Sequence, residues 1–274
     1  VYPPASALRH AQDRLDEKRL FDQLDIPLPG YRTVDSREDI VTATEELGLP
    51  VVIKSRRLGY DGKGQFIVRE REDIDTAWKT VGGQPLIAEQ WINFDFEVSC
   101  IGARNVDGDI VIYPLSRNFH EGGILKTSRS PIDAPVIADR AETYVQRMLG
   151  HLDYVGVLAL ELFVCGDDLF ANEFAPRVHN SGHWTIEGSA TSQFENHLRA
   201  IMNRPLGSTA SLNHAGMVNL IGNIPGAIRS QELGVLHDYG KAPRPGRKLG
   251  HITVTAESAA ERDRLVDIIS RSVT

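Results

Sequence analysis

The sequence predicts an α+β fold built on mixed or antiparallel sheets. Strand-like segments follow one another in runs, and three of them occur between residues 85 and 115 without an intervening helix. A doubly wound parallel sheet would instead alternate strands and helices strictly. The 274 residues are 41% hydrophobic and 24% charged, a composition typical of a globular chain with more than one hydrophobic core.

The first third of the chain is predicted to form a lead-in helix and a small strand–helix unit. Residues 5–24 have helical periodicity, and a Pro-rich extended piece follows at 25–30. Ser36 and Asp39 form a capping box that starts the next helix, and Gly48 ends that helix. The short elements that complete this part are the strands 50–54 and 65–69 and the helix 72–81.

The remainder of the chain combines runs of strands with single amphipathic helices. Alternating or continuous apolar runs predict strands at 85–92, 96–105, 109–115, 155–164, 169–174, 217–222 and 251–255. Helical periodicity predicts helices at 138–152, 192–202 and 257–270. The sequence contains no internal repeat and no low-complexity segment.

Composition and charge exclude several classes of protein. The net charge is −7 and no basic run occurs, so we expect no binding to nucleic acid. No apolar stretch approaches the ~20 residues of a membrane span. From the first residues we expect no signal peptide. Cys100 and Cys165 lie in apolar strands and are expected to be thiols rather than a disulfide, which predicts a cytoplasmic protein.

Glu161 and Glu173 are the strongest candidates for a metal site. They lie on two predicted strands joined by a tight turn at 166–168. If Asp167 is the middle of a three-residue loop, the two positions pair directly, with Cβ atoms roughly 5 Å apart. A cation would relieve the repulsion between the carboxylates, and oxygen ligands favour Mg²⁺. The alternative is two solvated carboxylates on an exposed sheet face.

A glycine loop follows the predicted strand 50–54. Its glycines are Gly59, Gly62 and Gly64, a spacing that differs from both the Walker A and the Rossmann patterns. Backbone N–H groups at the tip of such a hairpin can bind phosphates, and Lys54 could reach the same anion. The alternative is a plain hairpin with Lys54 on the surface.

Residues 85–97 combine an apolar strand with polar groups, as a site for a base and a ribose would. In that interpretation the strand's backbone faces the base and Glu97 accepts from the ribose hydroxyls. The alternative is that Trp91 is a core residue and that Glu89 and Glu97 are solvated.

Two further segments suit anion binding. Arg177 and His179 follow Glu173 closely, and a guanidinium favours bidentate recognition of an anion. His179 and His183 are four residues apart, so a zinc site is an alternative, although a third soft ligand is missing. The loop 241–248 carries four basic residues and is either an anion site or a solvated loop.

Taken together, these motifs resemble the 5-(carboxyamino)imidazole ribonucleotide synthetase family of ATP-grasp enzymes. The motifs that carry the resemblance extend along essentially the whole chain and are RRLGYDGKGQ (56–65), AEQWINFDFEVS (88–99), YPLSRNFHEGGILKTS (113–128), NEFAPRVHNSGHWT (172–185) and RPGRKLGH (244–251). The family uses ATP and bicarbonate to carboxylate the amine of aminoimidazole ribonucleotide through carboxyphosphate. The resemblance implies an ATP-grasp fold, in which two α+β subdomains grip ATP, and a small C-terminal subdomain.

The resemblance also implies domains and residue roles. The domains would be a lead-in at 1–29, a small subdomain at 30–94, a large subdomain at 95–205 and a C-terminal subdomain at 206–274. The ATP contacts would be Arg14, Lys54, Gly59, Gly62, Lys63, Gly64, Gln65, Glu89, Gln90, Trp91, Ile92, Glu97, His120 and Asn172. The residues that handle bicarbonate and the ribonucleotide would be Tyr60, Asp61, Arg177, His179 and Lys248. The grip on the 5′-phosphate would be Lys241, Arg247 and Lys248. Mg²⁺ would be held by Glu161 and Glu173.

One departure from the family pattern concerns the start of the chain. Family members begin with a Rossmann-like domain, whereas this chain opens on VYPPASALRHAQDRL, which is similar to the linker after that domain. We therefore expect ATP binding, while carboxylation by this chain alone is open. The alternatives are another ATP-grasp ligase or an ATP-binding fragment without turnover. The family also implies a homodimer.

Overall fold

The computed structural model describes residues 1–57, 59 and 64–273, and within them helices and strands are mixed along the chain. The helices are α1 (Ala5–Gln12), α2 (Arg14–Gln23), α3 (Arg37–Leu47), α4 (Ile74–Val81), α5 (Pro135–His151), α6 (Thr185–Gly188), α7 (Gln193–Ile201), α8 (Gly226–Arg229) and α9 (Ala259–Ser272). The strands are β1 (Tyr31–Val34), β2 (Val51–Ser55), β3 (Gln65–Val68), β4 (Leu86–Gln90), β5 (Phe96–Arg104), β6 (Ile110–Ile112), β7 (Ser116–Glu121), β8 (Ile124–Ser130), β9 (Gly156–Cys165), β10 (Asp168–Ala175), β11 (His214–Ile221), β12 (Val235–Asp238) and β13 (Lys248–Ala256). None of the described helices has the length and apolar character needed to cross a membrane.

The first sheet has four antiparallel strands in the order β1-β4-β2-β3. Helices α3 and α4 cover it, and Ile40 and Ala77 of these helices pack on Ile53 of the sheet. The capping box of Ser36 and Asp39 is present at the start of α3. The face of this sheet that lies opposite α3 and α4 carries the polar side chains that reach the cleft described below.

The second sheet has nine strands, all paired antiparallel, in the order β10-β9-β5-β7-β8-β11-β13-β12, with β6 beside β5. Helix α5 packs on one face through Val145 and Met148, while Trp184 lies on the other face. Strand β9 is buried on both faces, which explains its continuous apolar run. The C-terminal strands continue the same sheet because β11 pairs with β8, so residue 205 marks no break in it.

The predicted helix 5–24 is interrupted at Asp13. This residue has an extended backbone, and its side chain accepts from the N–H of Leu15 to cap α2. The same carboxylate accepts from Arg56 at 2.8 and 2.9 Å and from Arg57 at 3.0 Å. Asp13 therefore ends α1 because it joins the lead-in helices to the end of β2, a long-range contact that helical periodicity does not reveal.

The hairpin of β9 and β10 pairs Glu161 with Glu173, as predicted, but not through a three-residue loop. Cys165 pairs with Asp168, so the turn contains two residues, and that register alone would place Asn172 opposite Glu161. A β-bulge between Ala171 and Glu173 adds one residue and brings Glu173 opposite Glu161. The two deviations cancel, which is why the simple symmetry argument found the correct pair.

Candidate active site

A cleft of about 2480 Å³ lies between the two sheets. Sixteen of the predicted site residues line it, and they are Arg14, Lys54, Gly59, Gln65, Glu89, Gln90, Trp91, Ile92, Glu97, His120, Glu161, Asn172, Glu173, Arg177, His179 and Lys248. Four others, Tyr60, Asp61, Gly62 and Lys63, lie outside the described residues. The carbonyl of Gly64 accepts from the N–H of Ser55 at the base of the glycine loop.

Lys54 lies at the first-sheet wall of the cleft in a buried ion cluster. Its Nζ donates to Glu89 Oε2 at 2.8 Å, and Lys18 Nζ lies 3.6 Å from the same oxygen. Burial opposes ionisation of Glu89, but the two ammonium groups outweigh it and lower its pKa to about 2. Burial also lowers the pKa of Lys54. Two cations around one carboxylate leave excess positive charge at the cleft, which suits a phosphate.

Two backbone N–H groups at the end of β4, beside this cluster, are already paired within the protein. The N–H of Gln90 donates to the Gly30 carbonyl at 2.8 Å, and the N–H of Trp91 donates to the Pro50 carbonyl at 3.3 Å. The guanidinium carbon of Arg69 lies over the Trp91 ring, 5.7 Å from the centroid of that ring. Glu89 is only 3% exposed and its side chain is engaged with the lysines, so any contact of this segment with a base depends on residues 90–92.

Glu97 and His120 form a close pair on neighbouring strands. Glu97 lies opposite Asn118 in the register of β5 and β7, and its carboxylate contacts Nδ1 of His120. Burial alone would lower the pKa of His120, but the hydrogen bond to Glu97 and the charges of Glu161 and Glu173 raise it. The sequence placed both residues at a nucleotide site, and the structure brings them together in the cleft.

Glu161 and Glu173 face the cleft, and each contacts one basic side chain. Glu161 Oε1 lies 3.0 Å from His179 Nε2, and Glu173 Oε2 accepts from Arg14 at 3.3 Å. Burial would raise the pKa of Glu161, but His179 and the hydrogen bond from its Nε2 lower it. The side chain of Glu173 is 45% exposed, so one carboxylate oxygen remains accessible to a ligand.

This pair fits Mg²⁺ better than zinc. Within the described part of the chain, no group of three or more His, Cys, Asp or Glu side chains could hold a metal. Structural and catalytic zinc sites require at least three such ligands. Mg²⁺ keeps several waters and uses one or two carboxylates together with substrate phosphates. The donors of Glu161 and Glu173, next to a cationic phosphate site, match that pattern.

His179 is held in place by neutral hydrogen bonds. The Gln193 amide accepts from the His179 N–H at 2.9 Å and donates to its carbonyl at 2.6 Å. His179 Nδ1 accepts from the Ser181 N–H at 3.3 Å and also lies 2.8 Å from its hydroxyl. Because Nδ1 is an acceptor, the imidazole proton lies on Nε2 and points at Glu161. The imidazole is thus fixed with its Nε2 at the cleft.

The basic residues divide between the cleft and the loop beside it. Arg177 and Lys248 line the cleft, and the charge of Lys248 contributes to the lowered pKa of Glu161. Lys241 and Arg247 do not line it. Lys241 lies 5.1 Å from the Tyr239 ring centroid, and Arg247 donates to the Ala242 carbonyl. The structure therefore groups Lys248 with the site and keeps the other two on the loop.

Two residues of the cleft region were missed by the sequence analysis. Lys18 is 1% exposed although it is charged, and Gln193 is fully buried. Lys18 lies three residues from both Leu15 and Phe21, so the helical spacing put it on the apolar face of its helix. A lysine on that face was the available signal. Gln193 occupies an ordinary first-turn position of α7, and nothing in the local sequence marks it.

Comparisons with known proteins give the family. The family model of the ATP-grasp domain matches residues 19–194, and that of the phosphoribosylaminoimidazole carboxylase C-terminal domain matches residues 215–264. These matches confirm the predicted fold.

Among curated relatives, the N5-carboxyaminoimidazole ribonucleotide synthase of Pseudomonas aeruginosa is 48% identical over 271 residues. That alignment covers 98% of this chain and 75% of the relative. The enzyme of the same name from Escherichia coli is 43% identical over 245 residues, which cover 89% of this chain and 68% of the relative.

Solved structures agree. The N5-carboxyaminoimidazole ribonucleotide synthetase of Thermus thermophilus superposes with a TM-score of 0.93 at 48% identity, covering 100% of this chain and 75% of that one. The Aspergillus clavatus synthase in complex with ADP and 5-aminoimidazole ribonucleotide has a TM-score of 0.91 at 30% identity, covering 99% and 76%. The chain belongs to the N5-carboxyaminoimidazole ribonucleotide synthase family of ATP-grasp enzymes.

Proposed function

We propose that this chain catalyses the ATP-dependent carboxylation of 5-aminoimidazole ribonucleotide by bicarbonate. The products are N5-carboxyaminoimidazole ribonucleotide, ADP and phosphate, in purine biosynthesis. The observation that carries the proposal is the arrangement of the cleft, where Glu161 and Glu173 lie between the cationic cluster of Lys54 and the His179 side. A site of this kind can hold a nucleoside triphosphate at one end and a small acceptor at the other.

In the first step, bicarbonate oxygen attacks the γ-phosphorus of ATP, and ADP leaves, giving carboxyphosphate. Lys54 and Arg14 would neutralise the phosphate oxygens, and Glu97 would bind the ribose hydroxyls beside His120. Phosphoryl transfer depends mainly on positioning and charge neutralisation, so fixed cations in a narrow cleft supply much of what it needs. The loop between Gly59 and Gln65 is proposed to cover the phosphates, because carboxyphosphate is hydrolysed readily in water.

In the second step, the ribonucleotide amine attacks the carboxyl carbon and phosphate leaves. Arg177 would hold the bicarbonate-derived carboxylate in a bidentate manner. His179 is proposed to act at this end of the cleft, and because its Nε2 carries a proton directed at Glu161, the proton that the amine releases would leave with the phosphate. Tyr60 and Asp61 are proposed to act here as well, and Lys241, Arg247 and Lys248 to bind the 5′-phosphate.

Mg²⁺ is the proposed cofactor, held by Glu161 and Glu173 with Asn172 beside them. When bound, it would supply charge neutralisation to the ATP phosphates. We further propose that the protein is cytoplasmic and a homodimer, in line with the expectations from the sequence.

The direct test measures ADP release from Mg·ATP and bicarbonate, with and without aminoimidazole ribonucleotide. Release that the ribonucleotide stimulates supports the proposal. Stimulation by a different acceptor would indicate another ATP-grasp ligase. Nucleotide binding without stimulated release would leave an ATP-binding module that lacks turnover, and no nucleotide binding would overturn the proposal.

A further inference from the structure

The strand that carries Glu173 is held along its outer edge by α2 and by Pro27, whose carbonyl accepts from the Ala171 N–H at 2.7 Å. β10 is the first strand in the order of the second sheet, so one edge of its backbone faces away from β9. Along that edge, Phe174 N–H donates to Glu17 Oε1 at 2.8 Å, and the Asn172 carbonyl accepts from Lys18 Nζ at 2.5 Å. These two contacts flank Glu173 on both sides, at the bulge that sets its register.

Lys18 also reaches the other sheet. Its Nζ lies 3.6 Å from Glu89 Oε2, the oxygen that accepts from Lys54 at 2.8 Å. One ammonium group therefore contacts both the bulge beside Glu173 on the second sheet and the carboxylate that holds Lys54 on the first. Glu17 and Lys18 are 3% and 1% exposed.

Burying such a pair is costly, and simple packing does not require it. An apolar side chain would fill the same volume without the desolvation penalty of a charged or polar group, and such replacements are often neutral or stabilising. An apolar side chain could not, however, hydrogen-bond the backbone of a bulge. Together with the Arg14–Glu173 contact at 3.3 Å and the Ala171–Pro27 backbone hydrogen bond, the contacts of Glu17 and Lys18 therefore fix the position of Glu173 relative to Lys54.

We propose that Glu17 and Lys18 are positioning residues, which hold the bulged segment of β10 so that Glu173 faces Glu161 at a fixed distance from Lys54. The inference rests on the proposed use of Glu161 and Glu173 as metal ligands. Partners that orient a metal ligand affect metal affinity by roughly 10–100-fold in other proteins.

The test measures equilibrium binding of Mn²⁺, detected by electron paramagnetic resonance, in the presence of a non-hydrolysable ATP analogue. The variants are Lys18→Met, Glu17→Met and Glu17→Gln, the last of which keeps an acceptor oxygen for the Phe174 N–H. Arg19→Met is the matched control, because Arg19 lies on the same helix with a side chain that is 64% exposed. The melting temperature of each variant is measured alongside.

We expect Lys18→Met and Glu17→Met to weaken Mn²⁺ binding at least about tenfold, as for other residues that orient a metal ligand, and Glu17→Gln and Arg19→Met to leave it unchanged. Lower melting temperatures with unchanged Mn²⁺ binding would overturn the inference, because that pattern indicates a purely structural role. If Lys18→Met does not fold, the contrast between Glu17→Met and Glu17→Gln decides in the same way. If the unmodified protein does not bind Mn²⁺, that result would instead overturn the proposed function, and the inference with it.

Discussion

The two walls of the cleft hold their functional groups by different means. On the wall of the first sheet, Lys54 is fixed by an ion cluster with Glu89 and Lys18, of which the latter two are buried. On the opposite wall, His179 is fixed by the amide of Gln193 and by Ser181. The ion cluster suits a highly charged ligand, because a phosphate would balance the excess positive charge of the cluster. The second arrangement fixes direction without adding charge, which suits a step in which a proton moves.

Neutral contacts extend further on the His179 wall. The amides of Asn180 and Asn219 form a reciprocal pair at 2.7 and 3.0 Å. His251, behind His183, lies 2.8 Å from the Tyr239 hydroxyl and stacks on His237 at a centroid distance of 4.4 Å. Replacing a charge should therefore disturb one wall, while changing geometry or protonation should disturb the other.

The largest effect is expected where the walls meet, at the carboxylate pair. Glu173→Gln keeps the shape of the side chain but removes the charge that would attract Mg²⁺, so turnover should be abolished. Loss of a directly coordinating charge should exceed the 10–100-fold cost of an orienting partner. The loss of turnover is measured as ADP release as a function of Mg²⁺ concentration. Asp168→Asn on the same strand, where the side chain is 75% exposed, is the control. Retained activity with normal Mg²⁺ dependence would remove Glu173 from the site.

How far the sequence predicted these walls depends on how local the contacts are. The carboxylate pair was predicted because both residues belong to one hairpin, although the register came out right only because the two-residue turn and the bulge offset each other. The capping box of Ser36 and the helix α9 were also predictable. All of these features depend on residues close together in the chain.

Contacts between distant segments were not predictable. Lys18 meets Asn172 and Glu89 across more than 70 positions, and Gln193 meets His179 only after two elements fold back. Strands β7 and β8 were also missed, because their cleft-facing side chains are polar and hide the alternation expected of a strand. Family motifs predicted the site residues, whereas the contacts that support those residues required the structure.

The second largest effect is expected on the His179 wall. Gln193→Glu preserves the size of the side chain, but a carboxylate cannot donate to the His179 carbonyl. The carboxylate would also repel that carbonyl oxygen. We expect kcat to fall roughly 10–100-fold with little change in the KM for ATP, as for other misplaced catalytic groups. Glu195→Gln on the same helix, 52% exposed, is the control. An equal change in the KM for ATP would show that the two walls do not act separately.

The smallest expected effect is on how the free energy of unfolding depends on pH, which differs between the two walls. Burial and the neighbouring histidines lower the pKa of His251 to about 3, and burial with His179, His237 and Lys248 lowers that of His183 to about 4. The unfolded chain takes up these protons near its ordinary pKa of about 6.5. The unfolded state therefore binds more protons below that pH, and stability falls as the pH drops from about 6.5 towards 4 and 3.

The charged wall behaves differently over the same range. The pKa of Glu89 is lowered to about 2 from 4.5, so its contribution is complete above pH 4.5 and is lost only as the pH falls towards 2. Between pH 6.5 and 5, His251→Gln should therefore reduce the slope of the unfolding free energy by about 1 kcal/mol per pH unit. Urea denaturation at several pH values measures this slope. His151→Gln, at an exposed position, is the control. An unchanged slope in His251→Gln would mean that this histidine is protonated equally in the folded and unfolded chain, and that the second wall is not held by neutral imidazoles.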